Sequence, residues 1–102
     1  MDKNEIIEKL KLYASVLQNH FQLKKMILFG SYASGNAGPE SDIDVALIVE
    51  KYPADYFSST ALIRKLRRSI DNRIEPMLFE DKNDPSGFLS EIEKKGDVIF
   101  SK

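Results

Sequence analysis

Two short apolar segments, separated by a turn-rich stretch, commit this chain to a fold that contains a β-sheet. Met26–Phe29 is too short for a helix and stops at Gly30, which predicts a buried strand. Asp42–Val49 predicts a second strand, because its apolar residues alternate along the segment: Ile43, Val45, Leu47 and Val49. The intervening Ser31–Pro39 is rich in Gly, Ser and Asn and predicts turns, with one helical turn after Gly30.

Helical and extended segments alternate through the rest of the chain. Apolar residues at helical spacing predict helices over Glu5–Phe21, Ser59–Asn72 and Ser86–Lys95, the last ending at Gly96. Further strands are predicted over Arg73–Phe79 and Val98–Phe100, with loops at Lys51–Tyr56 and Asp81–Pro85. Pro76 predicts an edge position for the third strand. The pattern indicates an α/β (α+β) fold, a small mixed sheet with helices packed against it, in one domain over residues 1–102.

Composition excludes several functional classes. The net charge of −1 gives no general attraction to nucleic acid or anionic membranes, so we do not expect direct nucleic-acid binding. The absence of cysteine excludes disulfides, thiolate metal sites and cysteine nucleophiles. No stretch is apolar enough to span a bilayer and the charged start of the chain has no secretory core. We therefore expect a cytoplasmic protein without membrane contact.

The chemistry is concentrated in Ser41-Asp42-Ile43-Asp44. Residues two apart in a strand point to the same side, so Asp42 and Asp44 are expected side by side while Ile43 enters the core. Two adjacent carboxylates repel each other unless a cation lies between them. Mg²⁺ suits such a pair, because it binds one or two carboxylates together with water and phosphate oxygens. An isolated Asp-x-Asp is more often a solvated turn.

Gly30, Ser31 and Glu75 complete the candidate site. Gly30 allows a ligand to approach the backbone, and Ser31 opens a turn whose N–H groups can bind the outer phosphates of a nucleotide. Ser41 is either a turn residue or a further phosphate contact. Glu75 can join Asp42 and Asp44 as a third metal ligand and possible base if its strand pairs beside theirs; otherwise it is an exposed residue of an edge strand.

Gly30-Ser31, Asp42-Ile43-Asp44 and Glu75 resemble the signature of the nucleotidyltransferase superfamily that includes DNA polymerase beta and kanamycin nucleotidyltransferase. The likeness covers nearly the whole chain and is greatest to the minimal nucleotidyltransferases (MNT) of prokaryotic HEPN/MNT toxin–antitoxin pairs. The resemblance implies Mg²⁺ as cofactor and ATP as substrate, with AMP transferred to a hydroxyl. In the antitoxin branch that hydroxyl is a tyrosine of the HEPN toxin, and an oligomer can form through this partner. The small domain leaves the acceptor to be delivered by another chain.

The sequence departs from the family pattern at two places. Members often carry arginine where this chain has Ser34 and Gly38, and Glu75 replaces a commoner Asp. Two alternatives therefore stay open: a degenerate module that neutralises its partner by binding alone, and a transferase acting on a small molecule or an RNA end. A basic run on the second long helix is either a solvated face or a docking surface for an acidic partner or RNA: Arg64, Lys65, Arg67 and Arg68.

Overall fold

The computed structural model describes residues 2–38 and 40–102. Met1, in the predicted domain, and Pro39, the last residue of the predicted turn-rich stretch, lie outside the described residues. The helices are α1 (Lys3–Leu17), α2 (Ser31–Ser34), α3 (Tyr56–Arg67) and α4 (Phe88–Lys95). The strands are β1 (Leu23–Phe29), β2 (Ile43–Val49), β3 (Ile74–Glu80) and β4 (Asp97–Ser101).

The four strands form one mixed sheet in the order β3-β2-β1-β4. β1 pairs antiparallel with both β2 and β4, whereas β2 and β3 are parallel. The predicted mixed sheet with packed helices is confirmed, and so is the edge position of the strand that carries Pro76. A proline is tolerated there because an edge strand can leave one N–H side without a ladder partner.

Each face of the sheet packs against different helices. One face joins α1 and α3 in the larger apolar cluster, which includes Ile43, Val45 and Leu47. The other face joins α4 through a smaller cluster that contains Ala46 and Ile48. Strand alternation therefore buries Ile43 as predicted and places Asp44 on the α4 face.

The start of α3 and the end of α1 differ from the predicted boundaries, and local contacts explain the differences. α3 begins three residues before the predicted Ser59, because the Asp55 carboxylate caps it by accepting the Ser58 N–H at 2.8 Å and the Ser58 hydroxyl at 2.9 Å. Tyr56 therefore belongs to α3 and not to the predicted loop. α1 ends at Leu17, ahead of the predicted Phe21, and turns follow it. Phe21 is nevertheless buried in the larger cluster.

Asp71 anchors the chain just before β3. Its carboxylate accepts a hydrogen bond from Lys9 Nζ at 2.9 Å and one from Arg73 Nη2 at 2.8 Å. The Arg73 carbonyl in turn accepts the Ile43 N–H at 2.9 Å, at the first residue of β2. The polar contacts around Asp71 therefore fix the starts of the two neighbouring parallel strands, where the candidate site lies.

Within residues 2–38 and 40–102, no helix combines the length and the apolar character needed to cross a membrane.

Candidate active site

The candidate site centres on a row of three residues that crosses three strands. Asp44 is the register partner of Phe29 on β1 and of Glu75 on β3. Directly paired residues project from the same side of a sheet, so Asp44 and Glu75 share the α4 face. Asp42 stands one residue before β2 and is exposed. The strand pairing on which the assignment of Glu75 depended is therefore present, and we call Asp42, Asp44 and Glu75 the carboxylate site.

Gly30 brings the end of β1 against this site. Its φ of 73° and ψ of −146° place it in a backbone region that residues with a β-carbon rarely adopt. A β-carbon at Gly30 would also overlap Oδ2 of Asp44 and lie 3.3 Å from its Cγ. Two independent constraints therefore require glycine at position 30: the backbone conformation, and the Asp44 carboxylate that occupies the space a β-carbon would need.

The short helix α2 follows Gly30 directly. The Ser34 N–H donates to the Gly30 carbonyl at 3.1 Å, and Gly35 follows the helix in the left-handed conformation with φ of 82°. Tyr32 is buried and fixes this turn to the core. The first N–H groups of a helix have no carbonyl partner within it, so the turn can offer donors to an anion. The role of Ser31, half-buried at its start, stays a prediction.

Ser41 closes a turn immediately before the carboxylate site. Its Oγ accepts the Gly38 N–H at 2.9 Å, and its own N–H donates to the Gly38 carbonyl at 3.2 Å. This geometry is that of a turn residue, while its assignment as a phosphate contact stays a prediction. Ser34 and Gly38, where relatives often carry arginine, are both exposed.

Asp44 carries the perturbed carboxylate of the site. Burial raises its pKa above the ordinary value, and the negative charges of Asp42 and Glu75 raise it further. A divalent cation beside Asp44 would relieve both effects, because it compensates the charge that burial disfavours and neutralises the mutual repulsion. The donors are carboxylate oxygens, which is the ligand type that Mg²⁺ prefers. The residues present therefore fit a Mg²⁺ ion.

Glu75 makes contacts that sequence reasoning did not reveal. Its Oε2 lies 3.7 Å from Arg64 Nη1 and its Oε1 lies 3.6 Å from Arg67 Nη1. Among the residues that the structure describes, no three acidic or histidine side chains form a group that could hold a metal ion, so the role of Glu75 as third ligand beside Asp42 and Asp44 stays a prediction. Arg64 and Arg67, two members of the predicted basic run, therefore contact the carboxylate site through Glu75. Their spacing of three residues, which places them on one side of α3, is the only signal in the sequence.

An apolar rim borders the carboxylate site on the α4 face. Phe88 is 43% exposed and packs edge-on against Phe29 with ring centroids 6.2 Å apart. A cavity of about 210 Å³ opens beside Gly30 between Phe29, Phe88 and Ile92. A larger concavity of about 460 Å³ lies at the other end of the sheet, around Lys51–Pro53, away from the carboxylates. We assign the site by its chemistry and therefore place it at Gly30 and Asp44.

Comparison with known proteins identifies the family to which the sequence is similar. Residues 8–102 match the model of the family described as polymerase beta, nucleotidyltransferase. The Methanocaldococcus jannaschii protein named "Putative protein adenylyltransferase MJ0141" is 33% identical over 98 residues, which cover 94% of this chain and 97% of that protein. MJ0604 of the same organism, which bears the same description, is 33% identical over 95 residues, covering 89% and 94% of the two chains.

Solved structures share the fold. A crystal structure of a toxin–antitoxin with AMP-PNP aligns with a TM-score of 0.64 at 24% identity, covering 100% of this chain and 75% of that chain. A structure of a tri-AMPylated Shewanella oneidensis HEPN toxin in complex with MNT antitoxin aligns with a TM-score of 0.62 at 19% identity, covering 96% and 73%. At these identities the likeness establishes the nucleotidyltransferase fold.

Proposed function

The chain belongs to the polymerase beta nucleotidyltransferase family, and we propose that it transfers AMP from ATP to a hydroxyl of a partner protein. The observation that carries the proposal is the contact between Gly30 and Asp44. That contact joins the two halves of the motif, so the backbone of the Gly30 turn and a metal-binding carboxylate line one site. A ligand that bridges them must offer both phosphate and a divalent cation.

In this proposal each residue has a defined role. Asp42 and Asp44 would hold Mg²⁺, which would supply charge neutralisation at the α-phosphate. Gly30 lets the triphosphate approach the backbone, and Ser31 with the following N–H groups binds its outer phosphates. The acceptor oxygen forms a bond to the α-phosphorus, and the bond from that phosphorus to the bridging oxygen of pyrophosphate breaks. Such transfers depend mainly on positioning and charge compensation, which a small site can provide.

Glu75 is proposed as the residue that serves the acceptor. It lies beside Asp44 across the parallel pairing of β2 and β3, on the side away from Gly30. The outer phosphates would occupy the Gly30 side and the α-phosphate would lie at Asp42 and Asp44, so the acceptor would approach from the Glu75 side. There the carboxylate can accept the hydroxyl proton as the new bond forms, or complete the cation's ligands.

We further propose that the acceptor is a tyrosine of a HEPN toxin and that this chain acts as its antitoxin in the cytoplasm. The support is the Shewanella structure of a HEPN toxin that carries AMP groups in complex with MNT antitoxin, together with the adenylyltransferase names of the two M. jannaschii relatives. Addition of AMP places a bulky negative group on the toxin, which can silence it by blocking its own site.

A second candidate function is neutralisation of the toxin by complex formation alone. Ser34 and Gly38 favour it, because the exposed turn around α2 lacks the arginines that would strengthen phosphate binding. A transferase that acts on a small molecule or RNA end would instead need specificity from a separate subunit. Both alternatives predict no transfer of AMP to a HEPN protein.

Mass spectrometry of mixed components distinguishes these functions. The purified chain is incubated with a HEPN partner, ATP and Mg²⁺, and the partner's intact mass is followed. The proposal predicts additions of whole AMP groups to a tyrosine, which cease with Asp42→Asn or Asp44→Asn. A stable complex without a mass increase, unchanged by either substitution, would establish the binding module in place of the enzyme.

A further inference from the structure

The two arginines that contact Glu75 differ in how firmly they are held. Arg67 is 19% exposed, and its Nη1 donates to the Ile74 carbonyl at 2.6 Å as well as lying near Glu75. Arg64 is 50% exposed, and its distance of 3.7 Å from Glu75 is similar to the 3.6 Å of Arg67; both exceed the roughly 2.8 Å of a strong charge-assisted hydrogen bond. Burial and the bond to Ile74 therefore hold Arg67 in place, whereas the exposed Arg64 can leave Glu75 at little cost.

Glu75 cannot keep both arginines and also serve a cation without a loss of favourable contacts. Glu75 is the register partner of Asp44, and its negative charge, after burial and together with the charge of Asp42, already raises the pKa of Asp44. When a cation binds there, it attracts Glu75 toward Asp44 and competes with the guanidinium of Arg64 for the same carboxylate. A guanidinium that loses its carboxylate at the edge of a phosphate site has an obvious new partner, since arginine binds phosphate oxygens through two parallel hydrogen bonds.

We propose that Arg64 exchanges partners when substrate binds: it leaves Glu75 and contacts an oxygen of the nucleotide's α-phosphate while Glu75 turns toward the metal. The inference rests on the proposed function and deepens it by naming a substrate-binding cation. The charges stay balanced. Arg64 exchanges the negative carboxylate of Glu75 for a negative phosphate oxygen, and Glu75 exchanges a positive guanidinium for the positive metal. Arg64 thereby supplies the positive charge that Ser34 and Gly38 do not.

If Arg64 exchanges Glu75 for phosphate, Arg64→Ala should have opposite effects on the binding of metal alone and on the binding of nucleotide. In Arg64→Ala, binding of Mn²⁺ without nucleotide should become a few-fold tighter, because Glu75 is released. Binding of ATP with Mg²⁺ should become roughly tenfold weaker, because a charge-assisted contact is lost. Both affinities are measurable without catalysis, by electron paramagnetic resonance of Mn²⁺ and by calorimetry with a non-hydrolysable ATP analogue.

Lys65→Ala is the matched control. Lys65 is an exposed cation on the same turn of α3, and removing it causes the same change of net charge without touching Glu75. We expect less than a twofold effect on either ligand. A second control combines Arg64→Ala with Glu75→Gln, in which the gain in Mn²⁺ affinity should disappear because no charged carboxylate remains to be released.

The outcomes separate this inference from the function on which it rests. Opposite shifts in Arg64→Ala that exceed those of Lys65→Ala support the exchange. Equal effects of the two substitutions, or a weakening of both ligands by Arg64→Ala, overturn the exchange while leaving the transferase intact. Failure of the wild-type chain to bind Mn²⁺ any better than Asp44→Asn overturns both proposals together.

Discussion

The carboxylate of Asp44 lies against the α-carbon of Gly30, in the space that a β-carbon would need. Fourteen positions separate the two residues in the sequence, yet the antiparallel pairing of β1 with β2 sets Phe29 opposite Asp44 and so delivers Gly30 to the same place. The turn that is proposed to bind phosphate and the strand that is proposed to bind metal are therefore built as one unit.

Gly30→Ala should damage both stability and transfer. Holding alanine in the backbone conformation of Gly30 costs about 1–3 kcal/mol, and the new methyl displaces the Asp44 carboxylate. A shift of about 1 Å in a catalytic group can cost about a hundredfold in rate. Thermal unfolding and AMP transfer measure the two losses. Gly35→Ala is the control, because Gly35 also has positive φ but no atom within 4 Å of its β-carbon position; it should cost about 1 kcal/mol of stability and leave transfer intact.

Asp44→Asn should raise the melting temperature by a few degrees at pH 7 in buffer without divalent ions. The raised pKa means that the folded state disfavours the charged form of Asp44. The resulting loss of folding free energy is absent below the ordinary pKa of about 4 and is complete once the pH has risen through the raised pKa. Calorimetric scans at pH 7 and pH 3 should therefore differ, with the gain confined to pH 7. Mg²⁺ should stabilise the wild type but not the variant. A lower melting temperature for the variant at pH 7 would contradict the assignment.

Acid should weaken the anchor at Asp71. The hydrogen bonds from Arg73, with those from Lys9, hold the pKa of Asp71 well below its usual range. Such a group stabilises the fold above its unfolded pKa of about 4, and this contribution fades as pH falls through the folded pKa. Asp71→Asn should cost about 2 kcal/mol at neutral pH, and denaturant titrations should show its deficit narrowing below about pH 4. A deficit that is unchanged by pH would show that packing, and not charge, holds this turn.

Ser34→Arg should strengthen nucleotide binding. Ser34 is exposed on α2, where an added guanidinium can reach a phosphate held by the Gly30 turn. An exposed charge-assisted contact of about 1 kcal/mol corresponds to roughly a fivefold gain in affinity for ATP with Mg²⁺. Ser34→Gln has similar reach without charge and should give no gain. If both variants bind ATP alike, phosphate does not lie beside α2.

The sequence predicted the architecture well where local pattern decides it. Periodicity located all three long helices and the four strands, and Pro76 identified the edge strand. The start of α3 was predicted too late because it depends on the Asp55 carboxylate, which caps the helix. Asp55 lies close to Pro53, and that proline favoured the interpretation of the segment as a loop. The end of α1 was placed too late because Phe21 packs into the core from beyond the helix and continues its apolar pattern.

The candidate site was predictable only in part. The proposed role of Glu75 requires its strand to pair beside the strand of Asp44, and the sequence does not determine this pairing. The register between β2 and β3 depends on how the whole α3 crossover folds. The contacts of Arg64 and Arg67 with Glu75 were not predicted, because a basic run on a helix is equally typical of a solvated face. The position of Gly30 against Asp44 likewise needed the three-dimensional structure, since a turn of unknown shape separates the two segments.

The strand order has a consequence for how the protein is made. β3, which bears Glu75, is the outermost strand beside β2, and it is joined to β2 only through α3. During synthesis, Asp42 and Asp44 leave the ribosome about thirty residues before Glu75, and the row cannot close until the crossover has folded back. A nascent chain that stalls within α3 therefore carries Asp42 and Asp44, the pair proposed to bind metal, without Glu75. The three carboxylates come together only after β3 has docked beside β2.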